Sequence, residues 1–256
     1  MIKILLMALS GLVMTEQVFA WGQTGHRTSG EIAERYLSPK AKLAIQELLG
    51  SEDLAEASTY ADEMRSNPSE FWQKTASPWH YVNVHEGKRY KQAPPEGDAV
   101  SALAKFAKTL KDPKASREAK QLALRFTVHI IGDLHQPFHS GTSEDLGGNR
   151  IRVNFFGEDS NIHRVWDSGL IDRQQLSYSE WSKRLSRTIT PEQLTEWQQT
   201  DPKTWIAESV EHRLKLYPNN ERLSWSYQYS SMPIVKQRLQ MAGIRIATYL
   251  NHLFAS

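Results

Sequence analysis

The stretch that most constrains this chain is Thr127-Val-His-Ile-Ile-Gly-Asp-Leu-His-Gln-Pro-Phe-His139. Continuous with the apolar run Gln121-Leu-Ala-Leu-Arg-Phe, it reads as a buried helix broken at Pro137, because a proline forces the residue before it out of the helical region. Within that helix His129 and Asp133 stand four positions apart and leave one face, a turn from each other. An imidazole and a carboxylate so placed can hold a metal ion. His139 lies past the break, must point elsewhere and can serve a second ion nearby. A core helix with a few satisfied polar groups accounts for the same stretch, so more of the chain is needed.

At 256 residues and 39% hydrophobic content the chain can bury a sizeable core as one domain. Its start carries Lys3, a short apolar run, and Val18-Phe19-Ala20 with small residues where a signal peptidase reads them. The expectation is a cleaved signal peptide over 1–20, a domain over 21–256 that begins at Trp21, and an exported protein, periplasmic or secreted. No later stretch is long and apolar enough to span a bilayer, and no obligate protein partner is evident. The chain has no cysteine, which excludes disulfides and thiolate zinc ligands. Any zinc must then sit on His, Asp or Glu. The formal charge of +2 is unchanged by loss of Lys3 and Glu16, and tolerates a polyanion without demanding one.

Periodicity and breakers predict helices over Ser29–Leu37, Pro39–Leu49 (ended by Gly50), Leu54–Arg65, Val100–Leu110, within Ser116–Gln136, and over Asn161–Asp167, Lys203–Leu216 and Met232–Phe254, with a further one beginning at Pro191. Trp79–Val84 reads as extended. Gly147-Gly148-Asn149 reads as a turn leading into a short strand from Ile151 to Phe155. The fold class expected is mainly α, with a small β element.

The His-x-x-x-Asp spacing occurs twice, at His129/Asp133 and His163/Asp167, and His26, Asp62, His80 and His139 stand elsewhere in the chain. These donors suit zinc, but spacing alone leaves zinc protein and coincidence both open. The ordered set Trp21, Gly25-His26, Tyr60-Ala-Asp62-x-x-Arg65, Trp79-His80-Tyr, His129-x-x-Gly-Asp133-x-x-Gln-Pro-x-His139, Gly147-Gly-Asn149 and Asn161-x-His163-x-x-Trp-Asp167 resembles the S1/P1 nuclease family. Those proteins are zinc-dependent, single-strand-specific nucleases and 3′-nucleotidases.

The resemblance implies a single-domain helical bundle of the phospholipase C and S1/P1 nuclease type, with three zinc ions. Asp62, His80, His129 and Asp133 would hold the first. The α-amino nitrogen and carbonyl oxygen of Trp21, with His26 and a bridging Asp133, would hold the second, and His139, His163 and Asp167 the third. It makes Asp62 and Arg65 the catalytic residues, the arginine offsetting charge on the phosphoryl oxygens. It implies in-line hydrolysis of unpaired DNA and RNA to 5′-phosphorylated products, and removal of 3′-phosphate from 3′-nucleotides. Tyr81 falls where the family places a stacking aromatic, Leu146 is an apolar wall, and Asn149 supports the site. Asn83 stands where members often carry an aspartate; an amide offers both donor and acceptor, so base preference is open. Taken alone, Asp62 and Arg65 read as a surface helical ion pair; in register with the other ligands, the functional reading is favoured. His85, His135, His212 and His252 match no ligand position and are expected at surfaces or helix ends. The rival readings are a zinc-dependent phospholipase C and a non-catalytic exported zinc binder.

Overall fold

The computed structural model describes residues 21–255; the expected signal segment lies outside them. In chain order the elements are α1 (Gln23–Glu34), α2 (Pro39–Leu49), α3 (Leu54–Ala57), α4 (Tyr60–Glu63), β1 (Val82–Asn83), α5 (Ala99–Lys111), α6 (Arg117–Asp133), β2 (Ser140–Gly141), β3 (Arg152–Phe155), β4 (Glu158–Asn161), α7 (Ile162–Arg164), α8 (Leu170–Asp172), α9 (Tyr178–Ser186), α10 (Pro191–Trp197), α11 (Pro202–Leu216), β5 (Arg222–Leu223) and α12 (Trp225–Leu253). The architecture is mainly helical with two small sheets. β1 pairs in parallel with β2, while β3 lies between antiparallel β4 and parallel β5.

Local chemistry sets the helix ends. Ser38 accepts from the amide of Ala41 ahead of Pro39, and Gly50 stops α2 at φ +71°, which a side chain would resist. Asp98 and Ser101 form a reciprocal capping box on α5, and Ser116 caps α6. The site-bearing helix α6 is buried from Phe126 to Asp133. It packs among α1, α3, α5 and α12, and α12 crosses α1 so closely that a Cβ on Gly243 would stand 2.5 Å from Ile32 Cγ2.

Several expectations are corrected. The helix expected over Leu54–Arg65 is three pieces, α3, α4 and a 3₁₀ turn at Met64–Ser66. Ser58 Oγ donates to the Ala55 carbonyl and Thr59 Oγ1 to that of Glu56, and such back-bonding competes with the helical ladder. Within Trp79–Val84, Tyr81 and β1 are extended, but Trp79 and His80 belong to a 3₁₀ turn over Ser77–His80 with Pro78 in its first turn. α6 ends at Asp133, well short of Pro137. α1 starts earlier than expected, at Gln23, and α12 starts at Trp225 and runs through Pro233. The proline leaves the Tyr229 carbonyl without its helical donor, but Tyr229 is exposed, so water can serve it. The Asn161–Asp167 helix is α7 followed by a wider π turn.

Candidate metal centre

α6 projects His129 and Asp133 into the interior with no solvent exposure, and their near atoms lie 3.1 Å apart. Around them gather side chains from three other segments. His80 brings Nδ1 to 2.8 Å from His129 Nε2 and 3.3 Å from Asp133 Oδ2. Asp62 of α4 brings Oδ1 to 3.9 Å and 4.0 Å from those two imidazoles. His26 of α1 places Nε2 3.2 Å from Asp133 Oδ1 and stacks its ring on His129 with centroids 4.1 Å apart. Beyond the turn at Pro137, His139 Nε2 lies 3.1 Å from His163 Nε2 and 3.7 Å from Asp167 Oδ1. The donors thus fall into three groups: His26, His129 and Asp133; Asp62, His80 and His129; His139, His163 and Asp167.

Both ring nitrogens of His26 and both carboxylate oxygens of Asp133 are buried without a hydrogen-bond partner, although His26 Nε2 and Asp133 Oδ1 are within ion-pair distance. Orphaned buried donors and acceptors of this kind are costly unless a cation sits between them. Nitrogen ligands about 2.0–2.1 Å from a tetrahedral zinc lie about 3.3 Å from each other, and the separations here bracket that value. The nitrogen and oxygen donor set therefore fits zinc.

The electrostatics agree. Burial pulls the His80 imidazole down to about 4, leaving its lone pair free to bind. Burial raises the Asp133 carboxyl, but His129 and His139 outweigh it and hold the acid well below its usual range. Burial likewise lowers His139, yet Asp133 and Asp167 lift it to about 9. The buried carboxylates create a field that calls for positive charge.

A second layer orients the ligands. His129 Nδ1 donates to the carbonyl of Ser58, His139 Nδ1 to that of His80, and His163 Nδ1 to that of Gly147, at 2.6–2.7 Å, which fixes each tautomer. The break between α3 and α4 is what frees the Ser58 carbonyl. Gln136 Nε2 donates to Asp167 Oδ1 at 2.5 Å. A Cβ on Gly132 would stand 2.9 Å from His26 Nδ1. Gln136, Gly132 and Gly147 stood inside the quoted motifs, but spacing assigns them no role.

Arg65 Nη1 reaches Asp62 Oδ1 at 3.3 Å, and both side chains are largely buried, so this is no surface pair. Asp62, Asn149, His163 and Asp167 line a cavity of about 890 Å³ over the donors. Asn149 Nδ2 donates to the Leu146 carbonyl, supporting a loop in which Leu146 is half exposed at φ +53°. Tyr81 and Asn83 line a separate cavity of about 370 Å³ with Tyr90 and Asp98. Burial raises the Tyr81 phenol, Glu96 adds to this, and the charge of Arg65 acts in the opposite sense, so Tyr81 lies within electrostatic reach of the arginine. Trp21 is fully buried in the apolar cluster of Trp166 and Ile171, and the amide of the next residue, Gly22, donates to the Asp167 carbonyl. His85 is exposed and pairs with Glu144. His135 departs from expectation, being wholly buried behind the site.

A family model described as S1/P1 Nuclease matches residues 21–255. Endonuclease 4 of Arabidopsis thaliana is 30% identical over 284 residues, covering 96% of this chain and 94% of its own. Nuclease S1 of Aspergillus oryzae is 26% identical over 97% of each chain. Nuclease P1 of Penicillium citrinum is 33% identical over 184 residues, 66% of this chain and 67% of its own. These matches are to nucleases, which favours a phosphodiester-hydrolysing nuclease over a phospholipase C or a passive metal binder. The chain belongs to the S1/P1 nuclease family.

Proposed function

We propose that this enzyme is an exported, zinc-dependent nuclease that hydrolyses unpaired DNA and RNA to 5′-phosphorylated products and removes the 3′-phosphate of 3′-nucleotides. The observation that carries the reading is the convergence of buried, unpartnered His26 and Asp133 atoms beside two further donor groups. Asp62, His80, His129 and Asp133 would hold one zinc, His26 and Asp133 with the amino nitrogen and carbonyl of Trp21 a second, and His139, His163 and Asp167 a third. Bound there, zinc supplies Lewis acidity toward a phosphodiester and acidity to water at neutral pH. The reading includes cleavage after Ala20 and a single domain from Trp21 onward.

The chain's own residues do the rest. Asp62, itself a donor that lines the cavity, pairs with Arg65, and the guanidinium so held would meet the charge that develops on a phosphoryl oxygen. Tyr81 presents a ring for a base to stack on, which only an unpaired base can use. Asn83 offers an amide to that base, and Leu146 walls the site above the loop that Asn149 supports. One zinc-loaded preparation assayed side by side on single-stranded DNA, duplex DNA, RNA, 3′-AMP and phosphatidylcholine tests the reading. The expected result is rapid cleavage of the single strands and of 3′-AMP with little of the duplex; equal rates on duplex, or phosphatidylcholine as the preferred substrate, would overturn it.

A further inference from the structure

α9 to α12 supply none of the donors in the three groups, yet α11 and α12 carry three buried arginines, Arg213, Arg238 and Arg245. A buried guanidinium is destabilising unless paired and fully hydrogen-bonded, so what these arginines hold is informative. Arg238 sends Nη1 to Glu208 Oε2 at 2.9 Å, Nη2 to Ser209 Oγ at 2.7 Å and Nε to the carbonyl of His135 at 3.0 Å. Ser209 Oγ in turn donates to the carbonyl of Leu134 at 2.6 Å. Arg245 binds both oxygens of Glu208 and stands 3.1 Å from His135 Nε2. His135 Nδ1 faces the Ile131 carbonyl at 2.7 Å and must donate there, so Nε2 accepts from Arg245.

The carbonyls of Leu134 and His135 belong to the turn that leaves α6 immediately after Asp133. That turn joins the donor groups by the shortest path along the chain. Asp133 at its start stands among the first two groups, Gln136 holds the carboxylate of Asp167, and His139 at its end belongs to the third. The end of a helix is where backbone groups lack ladder partners, and Pro137 withholds a further N–H. The amides of Leu134, His135, Gln136 and His139 are bonded locally, to the carbonyls of Ile130, Gly132, Asp133 and Gln136, but the carbonyls of Leu134 and His135 take their bonds from Ser209 and Arg238.

We propose that Arg238 is a positioning residue: by engaging the turn between Asp133 and His139 from the side away from the donors, with Glu208 as its counter-charge, it sets the spacing between the paired zinc subsites and the third. This rests on reading the three donor groups as zinc sites. It gives the C-terminal helices, which bring no ligand, a defined part in the metal centre. Partners that hydrogen-bond a ligand directly are worth roughly 10–100-fold in metal affinity; Arg238 acts one bond further out, through the turn, so the low end of that range applies.

The test compares full-length, zinc-loaded variants by competition with a chromogenic chelator, alongside melting temperature and the separation of kcat from KM on a short single-stranded oligonucleotide. Arg238→Met leaves Glu208 paired with both nitrogens of Arg245, so no carboxylate is orphaned. Its most weakly held zinc should loosen roughly 10-fold, the low end for outer partners, with kcat falling more than KM rises. Arg238→Lys keeps the charge but loses the planar fork, so it should recover stability while still releasing zinc readily. Ser209→Ala should shift zinc affinity the same way by less. Gln240→Leu is the control: it sits on the same helix, buried, but bonds to Leu185 and Thr188, and should lower the melting temperature with wild-type zinc affinity. Unchanged affinity in Arg238→Met and Arg238→Lys would overturn the proposal, as would equal loosening in Gln240→Leu for the same loss of melting temperature. If Arg238→Met fails to fold, the lysine and Ser209→Ala variants decide. A wild-type protein that takes up no zinc overturns the zinc reading, whereas a zinc-loaded wild type with an indifferent Arg238 overturns this inference alone.

Discussion

Gly132→Ala separates stability from metal binding at a single methyl. In an open helix this change stabilises by about 1 kcal/mol, because alanine loses less backbone freedom than glycine. Here the added Cβ would stand 2.9 Å from His26 Nδ1 and 3.1 Å from Cε1, where ordinary contact begins at 3.4 Å. The His26 ring must therefore retreat by about half an ångström, and it is fully buried and stacked on His129. Overpacking of this kind costs about 1–3 kcal/mol, so the net change runs from near zero to about 2 kcal/mol destabilising. At about 2–4 °C per kcal/mol for a chain of this size, the melting temperature should fall by no more than about 8 °C. Zinc geometry tolerates only about 0.2 Å, so the second ion should be lost or loosened. Hydrolysis of single-stranded DNA should drop by at least about 10-fold, since a misplacement of about 1 Å can cost about 100-fold. Differential scanning fluorimetry, zinc content by atomic emission and initial rates on one preparation give all three readings. Full zinc content and full activity would show that the contact does not position His26, and the geometry argued for the second subsite would fail.

Arg65→Ala should keep its zinc while kcat falls by about 10²–10³, as for other lost charge-stabilising donors; rates within a few-fold of wild type would reduce Arg65 to an ion-pair partner of Asp62. Chelation should lower the melting temperature as well as abolish activity, because metal binding to a site absent from the unfolded chain is folding free energy; a stripped protein that melts unchanged would make the cluster catalytic only. Tyr81→Ala should weaken 3′-nucleotide binding by about 1–3 kcal/mol through lost stacking, and Asn83→Asp should reorder 3′-AMP, 3′-GMP, 3′-CMP and 3′-UMP; an unaltered order by competition assay would place base recognition outside the cavity they share. One uncleaved residue before Trp21 turns its amine, with an ordinary pKa of about 7.7–8.0, into an amide whose lone pair is delocalised; zinc content equal to that of protein starting at Trp21 would remove Trp21 from the second subsite.

Much of the centre is legible in the chain because helical periodicity is local. His129 and Asp133, like His163 and Asp167, are four apart, and any helix must bring such pairs onto one face; that His139 lies beyond the helix was also legible, although α6 ends at Asp133 and not at Pro137. The serines and aspartates that cap α2, α5 and α6 are equally local, since a side-chain oxygen reaches an amide two or three residues on. What the tertiary structure decided is convergence. Nothing in the spacing of His26, Asp62 and His80 brings them to Asp133; α1 approaches α6 there because residue 132 has no side chain, and Ser58 can hold His129 only because α3 breaks from α4. His135 looked like an unassigned helix-end histidine, yet Arg238 and Arg245, more than a hundred residues later, enclose it. Periodicity reaches only a few residues along the chain, whereas these contacts exist only once the core has packed, which is why no stretch of the sequence taken alone displays them.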